Sequence, residues 1–398
     1  MKSRSIKLAF LFAVLTGIGM SYHHPVTPTL FTELGLPARI FGNASAILCF
    51  FTFLTAPFWG ELCGIMGRVK VFTVTCICYG FGQFILGEAT TEAGVLFARM
   101  LSGIFSGGVT IASMLYIIDV SWEKNKGRNV ALYTAVQTVS SSFGYLFGGL
   151  IGTYFHYRYS FIVQGFWMIT LGILSYFLQE ESCLDIVKIK TSQLVAKANP
   201  FRAFINAGSL LNRITCFFFI AVTLTGFALA CYDNAFNYYL KDQLDFIPAY
   251  NGILKATIGL VGLGANFSIT LWILKRKHLA RNLTLVLLIN TITAVLAVVN
   301  GGLIYFVIVN LVFFTANSIY QPLQRSLSVA GRSVREAELA VGLYNSMVNA
   351  GNVFGGIFAG IAYSYHVKAP FVLSSIIFLL AVCSSYVYYK RDRSEKNL

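Results

Sequence analysis

Apolar residues run along this chain in long uninterrupted stretches, broken by short polar turns, with no alternating pattern of the kind that marks a strand. The stretches exceed the roughly 20 residues a helix needs to cross a bilayer. Twelve can be placed, at about 6–30, 38–62, 69–88, 92–118, 128–153, 158–179, 212–240, 249–273, 282–300, 302–324, 337–363 and 369–389. Hydropathy sets each end to within about 2–4 residues. The first run, Ile6–Leu30, is too long for a signal-peptide core and is expected to stay as an uncleaved first helix. The longest polar segment, Glu180–Leu211, divides the spans six and six. Within it, Asp185–Ala198 has the spacing of a short amphipathic helix lying on the membrane surface, and Asn199-Pro200 stops it. The expected fold is an all-α membrane protein of twelve transmembrane helices in two pseudo-symmetric six-helix bundles. Residues 1–180 form the N-terminal bundle, 181–211 a cytoplasmic linker and 212–398 the C-terminal bundle.

The pseudo-symmetry is written in the glycines. Ser140-Ser-Ser-Phe-Gly-Tyr-Leu-Phe-Gly-Gly149 is echoed by Asn349-Ala-Gly-Asn-Val-Phe-Gly-Gly356, so Gly144, Gly148 and Gly149 answer Gly351, Gly355 and Gly356. Glycines four apart share a helical face and let a second backbone approach closely, which drives helix packing in lipid. Leu15-Thr16-Gly17 likewise recurs as Leu224-Thr225-Gly226, and Tyr22-His23 is answered by Tyr232-Asp233. Parallel repeats of this size are one way in which transporters are built, with the substrate site between the halves.

Composition agrees with the pattern. The 398 residues are 56% hydrophobic and 12% charged, with a mean hydropathy of +0.69, where a soluble chain carries about twice that charge. A net charge of +14 would point to nucleic acid in a soluble domain, but here its placement is topogenic. Most lysines and arginines fall on one side of the spans, including Lys2, Arg4, Arg68, Lys70, Lys126, Lys188, Arg276 and Arg391. Only Arg39, Arg158, Lys241 and Lys368 fall on the other. Both termini are therefore expected in the cytoplasm, and the lipid bilayer, with no nucleic acid, is the expected surrounding. The eight cysteines are scattered and none forms a Cys-x-x-Cys pair, so neither a disulfide framework nor a metal site is expected. No phosphate loop, Gly-x-Ser-x-Gly or His-Glu-x-x-His occurs, which argues against an enzyme and against ATP-driven pumping; no cofactor is expected.

Several turns carry a recognisable signature. The turn between spans 2 and 3, Gly60-Glu-Leu-Cys-Gly-Ile-Met-Gly-Arg-Val-Lys70, resembles the loop motif of the major facilitator superfamily, Gly-x-x-x-Asp-Arg/Lys-x-Gly-Arg-x-Lys/Arg. Gly60, Gly67, Arg68 and Lys70 match, while Gly64 and Ile65 stand at the acidic and first basic positions. The acid of that motif helps latch the cytoplasmic gate in the family, and Glu61 is a candidate substitute. Arg99-Met-Leu-Ser-Gly103 resembles the family's Arg-x-x-x-Gly in span 4. Asp119 followed by Arg128 resembles the acid-then-arginine loop of its drug-efflux members. Gly144, Gly148 and Gly149 match their antiporter signature, Gly-x-x-x-Gly-Pro-x-x-Gly-Gly, with Ser140 and Tyr145 in place of its first glycine and its proline. The resemblance covers essentially the whole chain. It implies alternating access about a cavity lined by spans 1, 4, 7 and 10, with gating and packing carried by Gly60, Gly67, Arg68, Asp119, Arg128 and the two glycine triplets.

Candidate cavity and coupling residues follow from polar side chains at bilayer depth. Arg99 opens a stripe with Gly103, Ser106, Thr110 and Ser113, and an arginine about 10 Å deep is costly unless it is paired, faces water or snorkels to the interface. Tyr22, His23 and His24 lie in span 1 beside a Pro-x-x-Pro pair, and Asp233 with Asn237 in span 7. Imidazoles and a carboxylate at that depth can change protonation as a cavity opens; neutral packing of the histidines and a rim position for the acid are the plain alternatives. Gln137, Asn317, Gln321, Tyr344 and Asn345 offer amides and phenols, to a cavity or to neighbouring helices. The function expected is secondary active transport of a small molecule by a monomer, proton-coupled and resembling the drug/proton antiporters, in a bacterial inner membrane. A proton-coupled importer of a polar metabolite and a non-transporting membrane receptor or scaffold remain the alternatives.

Overall fold

The first apolar run is not one helix but two. In the computed structural model, which describes residues 2–122, 125–182, 199, 211–274, 278–299, 301–330 and 334–396, α1 (Lys2–Ser21) ends before the histidines and α2 (Thr27–Glu33) begins after them. The cause is local. Pro25 and Pro28 lack the N–H groups that would bond to Ser21 O and His24 O, and His23 O starts the next turn, accepting from Val26 N at 3.2 Å, Thr27 N at 2.9 Å and the Thr27 hydroxyl at 2.7 Å. The Pro-x-x-Pro pair thus breaks the first span where Tyr22, His23 and His24 stand.

The remaining runs each form one helix: α3 (Arg39–Met66), α4 (Arg68–Glu88), α5 (Glu92–Val120), α6 (Lys126–Tyr154), α7 (Tyr157–Leu178), α8 (Arg213–Asp242), α9 (Pro248–Leu274), α10 (Leu279–Leu296), α11 (Gly302–Val329), α12 (Val334–Tyr365) and α13 (Ala369–Lys396). Nine of these are long and apolar enough, among the described residues, to cross a membrane. α9 passes through one π-helical turn at Asn266–Thr270. Caps are made where polar side chains were available: the Thr91 hydroxyl accepts from Gly94 N at 3.2 Å to start α5, and Asn212 Oδ1 accepts from Ile214 N and Thr215 N to start α8. The amphipathic stretch expected at Asp185–Ala198 lies outside the described residues.

The contacts divide the chain into two compact units. One comprises Met1–Leu36, Ile47–Pro200 and Leu240–Gly259; the other comprises Pro37–Ala46, Phe201–Tyr239 and Leu260–Leu398. In the first, α4 packs along α5 and α7, and α1 along α6. Phe12, Trp59, Phe72, Tyr79, Val109, Met168 and Leu171 form its apolar core. The second has an aromatic centre, where Tyr232 of α8 stacks on Phe313 of α11 at 3.7 Å and meets the edge of Phe371 of α13 at 4.9 Å.

Each unit uses its glycine triplet in the same way. A β-carbon on Gly144 would strike the carbonyl of Ile18, and one on Gly148 that of Tyr22, so α6 lies backbone to backbone on α1. On α12, Gly351 and Gly355 press likewise against the carbonyls of Thr223 and Phe227 on α8. The adjacent glycines face other neighbours. Gly149 is closed against Pro248 and Gly252 of α9 within the first unit, and Gly356 against Gly42 and Ala46 of α3 within the second. Successive residues differ by about 100° around a helix, so each Gly-Gly pair gives two bare faces to two partners. By contrast, a β-carbon on Gly60 or Gly64 would meet nothing within 4 Å, and close packing does not demand glycine there.

Gly148→Ala and Gly355→Ala are therefore expected to lower the melting temperature in detergent, each by the roughly 1–3 kcal/mol typical of overpacking, while Gly60→Ala leaves it unchanged. Gly80→Ala belongs with the damaging set, since its β-carbon would sit 2.7 Å from Gly165 O. Equal melting of Gly148→Ala and Gly60→Ala would contradict the close crossing.

Candidate functional site: a buried arginine cluster and an ionic clasp

The break between α1 and α2 carries the first half of a polar cluster inside the first unit. Gln164 of α7, wholly buried, reaches it with one amide nitrogen: Nε2 donates to Gly19 O at 2.7 Å and lies 3.2 Å from His23 Nδ1 and 3.4 Å from the Tyr79 hydroxyl of α4. Arg99 of α5 donates from Nη2 to the Thr27 hydroxyl at 2.9 Å. Beside it Gln83 of α4 donates to Ser102 Oγ at 2.9 Å, which donates back along its own helix to Ala98 O at 2.8 Å. Arg99 is 5% exposed and His23 4%, so the arginine turns into the bundle and does not snorkel. Three polar atoms here, Arg99 Nε, Gln164 Oε1 and Gln83 Oε1, are buried without a partner. Each costs free energy unless a donor, acceptor or water arrives.

The other candidates of span 1 stand around this cluster. Tyr22 is buried with its ring 6.1 Å from that of Trp167, and exposed His24 stacks on His23 at 4.2 Å and lies 5.2 Å from the Tyr145 ring. Gln137 donates to the Tyr133 hydroxyl at 3.1 Å on its own helix. Of the stripe running from Arg99, Gly103, Ser106 and Ser113 are buried but Thr110 is exposed.

In the second unit the polar groups are more dispersed. Asn237 Nδ2 donates to Asp233 O at 2.7 Å and Oδ2 at 3.2 Å, leaving its own Oδ1 buried without a partner. Asp233 is nine residues from the end of α8, about 13 Å along it. Asn317 Nδ2 donates back to Phe313 O at 2.8 Å and its Oδ1 is also orphaned. Gln321 is half-buried and Asn345 exposed. Tyr344 is buried, with the Arg325 guanidinium 5.9 Å over its ring. Tyr232, Asn310, Thr225 and Gln324 make the closed pairs instead: Tyr232 Oη donates to Asn310 Oδ1 at 2.8 Å, and Gln324 Nε2 to Thr225 Oγ1 at 3.0 Å.

Where α3 meets α4, the sequence motif becomes a clasp. Gly67 adopts a φ of +99°, which favours glycine, and turns the first amides of α4 outward. The carboxylate of Glu181, three residues beyond α7, accepts from Arg68 N at 2.6 Å, Val69 N at 3.2 Å and Lys70 N at 3.4 Å. An anion there satisfies orphan donors and the positive end of the helix dipole. Arg68 Nε pairs with Asp119 Oδ2 at 3.0 Å, and the Ser182 hydroxyl donates to the same oxygen at 3.0 Å. The ends of α4, α5 and α7 are thereby tied together. The turn thus carries a carboxylate from Glu181, while Gly64 stands at the motif's acidic position. The Arg128 side chain lies outside the described residues.

Sequence reading missed Gln164, Gln83, Thr27 and Glu181. Gln164 and Gln83 were visible as lone amides in apolar runs; Glu181 carried no motif and is recognised only by the amides it meets.

A bundle of apolar helices that buries amides, a guanidinium and an imidazole, with no arrangement of nucleophile and base among the described residues, has the character of a membrane transporter. The Major Facilitator Superfamily profile matches residues 9–330. The chain belongs to that superfamily, and is a transporter and not an enzyme. It is 19% identical over 386 residues to Multidrug resistance protein 2 of Bacillus subtilis strain 168, covering 97% of this chain and 95% of the relative. Identity to Multidrug resistance protein 1 of the same organism is 22% over 390 residues, covering 95% and 94%. Among solved structures, a bacterial homolog of the human lysosomal transporter Spinster, in an inward-facing and unoccupied conformation, superposes with a TM-score of 0.80 at 15% identity, over 98% of this chain and 97% of that one.

Removing the clasp's anion should be measurable without any substrate. Glu181→Gln is expected to destabilise the protein by about 1 kcal/mol, the usual size of a lost helix cap, and to lower its melting temperature. Asp245→Asn, in a pair whose carboxylate is 89% exposed, should change nothing detectable. An unchanged melt for Glu181→Gln would show the cap to be ornamental.

Proposed function

We propose that this protein is a proton-coupled exporter of a small molecule, working by alternating access between its two halves. The observation that carries the reading is an ionisable side chain at bilayer depth in each unit: His23, packed in the Arg99 cluster, and Asp233 on α8. Charges at that depth are retained for function, because the bilayer penalises them otherwise. A carboxylate is costly in a dry cavity and tolerable in a wet one, so opening and closing alter its protonation. That links proton movement to conformation. The multidrug names of the two Bacillus relatives support export as the direction. The bulk of basic residues on one side supports cytoplasmic termini, and a single chain suffices for the mechanism.

Asp233→Asn in proteoliposomes should abolish substrate accumulation driven by an imposed pH gradient yet keep substrate exchange, which needs no net proton release. His23→Gln should shift the pH optimum less severely. Accumulation against a gradient by Asp233→Asn would remove it from the coupling path.

Orientation has its own check. A cysteine replacing Lys126 should react with an impermeant maleimide only from the cytoplasmic side, and one replacing Lys241 only from outside. The reverse pattern would invert the topology and with it the direction of transport.

A further inference from the structure

A guanidinium keeps its charge under all ordinary conditions, and burying one is expensive unless it is paired. Arg99 is 5% exposed, yet its one hydrogen bond goes to the neutral hydroxyl of Thr27 and its Nε meets no acceptor. No carboxylate among the described residues lies within ion-pair distance of it. Nor do the neighbours supply the missing charge. Tyr79 and Cys49, both within reach of its field, are neutral weak acids, and Gln164 and Gln83 are amides. His23, also within reach, is neutral or cationic and never an anion.

Most described acids of the same unit stand at or just beyond the ends of helices: Glu33 closes α2, Glu88 closes α4, Glu92 opens α5, Asp119 lies one residue from its close, Glu180 and Glu181 follow α7, and Asp242 closes α8 with Asp245 just after it. Glu61 lies further in on α3, but it is Leu48 that packs on Gly103, one turn from Arg99. Glu61 is thirteen residues beyond Leu48, about 20 Å along the helix.

We propose that the missing partner is carried by the transported molecule, so that Arg99 selects organic anions (carboxylates, sulfonates or phosphate esters) over organic cations. This rests on the transport reading and supplies its substrate class. The guanidinium fork matches two oxygens of such a group. Beside it the stacked rings of His23 and His24, with Tyr145 next in line, give flat surface for an aromatic body. His24 lies in the break between α1 and α2, and Thr27, whose hydroxyl occupies Nη2, is the first residue after it. A chloride ion offers the same charge in smaller form, and the experiment separates the two.

Two bicyclic ions of similar size and fixed opposite charge serve as probes: naphthalene-2-sulfonate and N-methylquinolinium. Wild-type protein in detergent should bind the sulfonate saturably and equally in chloride and fluoride buffers, and N-methylquinolinium should not compete. Arg99→Gln should weaken binding about tenfold or more, and Arg99→Lys by less, because lysine keeps the charge and loses the fork. Thr27→Val, which removes the internal competitor, should bind at least as tightly as wild type, and it carries the test if Arg99→Gln fails to fold. The proposal is overturned if the sulfonate does not bind, if its binding ignores Arg99→Gln, or if the cation competes as well. Arg99-dependent stabilisation by chloride with no sulfonate binding also overturns it, in favour of an inorganic counter-ion. In proteoliposomes, sulfonate exchange without pH-driven accumulation refutes proton coupling and leaves the anion site standing. Accumulation of the cation alone does the opposite.

Discussion

Everything in this chain depends on bringing helix backbones together in a solvent that offers no reason to do so. In water an apolar helix face is driven onto its neighbour; in lipid it is already among its own kind, and packing must come from close contact. The protein meets that constraint by removing side chains at the crossings. α6 on α1 and α12 on α8 meet through glycines placed over carbonyl oxygens, a distance at which weak Cα–H···O contacts contribute. The remaining helices pack more conventionally, on the apolar core around Phe72 and Met168 and on the rings around Tyr232.

Against that apolar background the polar groups are few and concentrated. In the first unit they converge on the break in span 1, where two prolines interrupt the backbone ladder and Gln164 and Arg99 bond to Gly19 and Thr27 on either side. In the second unit the corresponding helix, α8, is continuous through Asp233, and its polar side chains bond mainly along their own helices or in closed pairs. The two repeats have thus kept the packing code while diverging in what they bury. The first buries a guanidinium, whereas the second leaves its carboxylate, Asp233, half-buried.

The long runs, the six-and-six layout and the doubled glycine motif were legible in the sequence because each rests on a local signal, hydropathy or spacing. Gly60 was not: it stood in a recognisable motif, yet no neighbour approaches it. Gly80 is the opposite case, since it belongs to no motif yet sits against the Gly165 carbonyl. Arg99 was legible as costly, but its inward turn is met by Thr27, 72 residues away in the sequence. Such partners leave no periodic trace. Glu181 shows the same limit, because its partners are backbone amides, which every residue has.

That clasp also sets where the chain leaves the first repeat. Glu181 and Ser182 are the first residues of the segment that leads from one repeat towards the other, and they are fastened to α4 and to Asp119 of α5 before the segment continues. The chain leaving α7 is thus held by α4 and α5 within four residues of the helix end, so its point of exit is set by the neighbouring helices as well as by the helix it leaves.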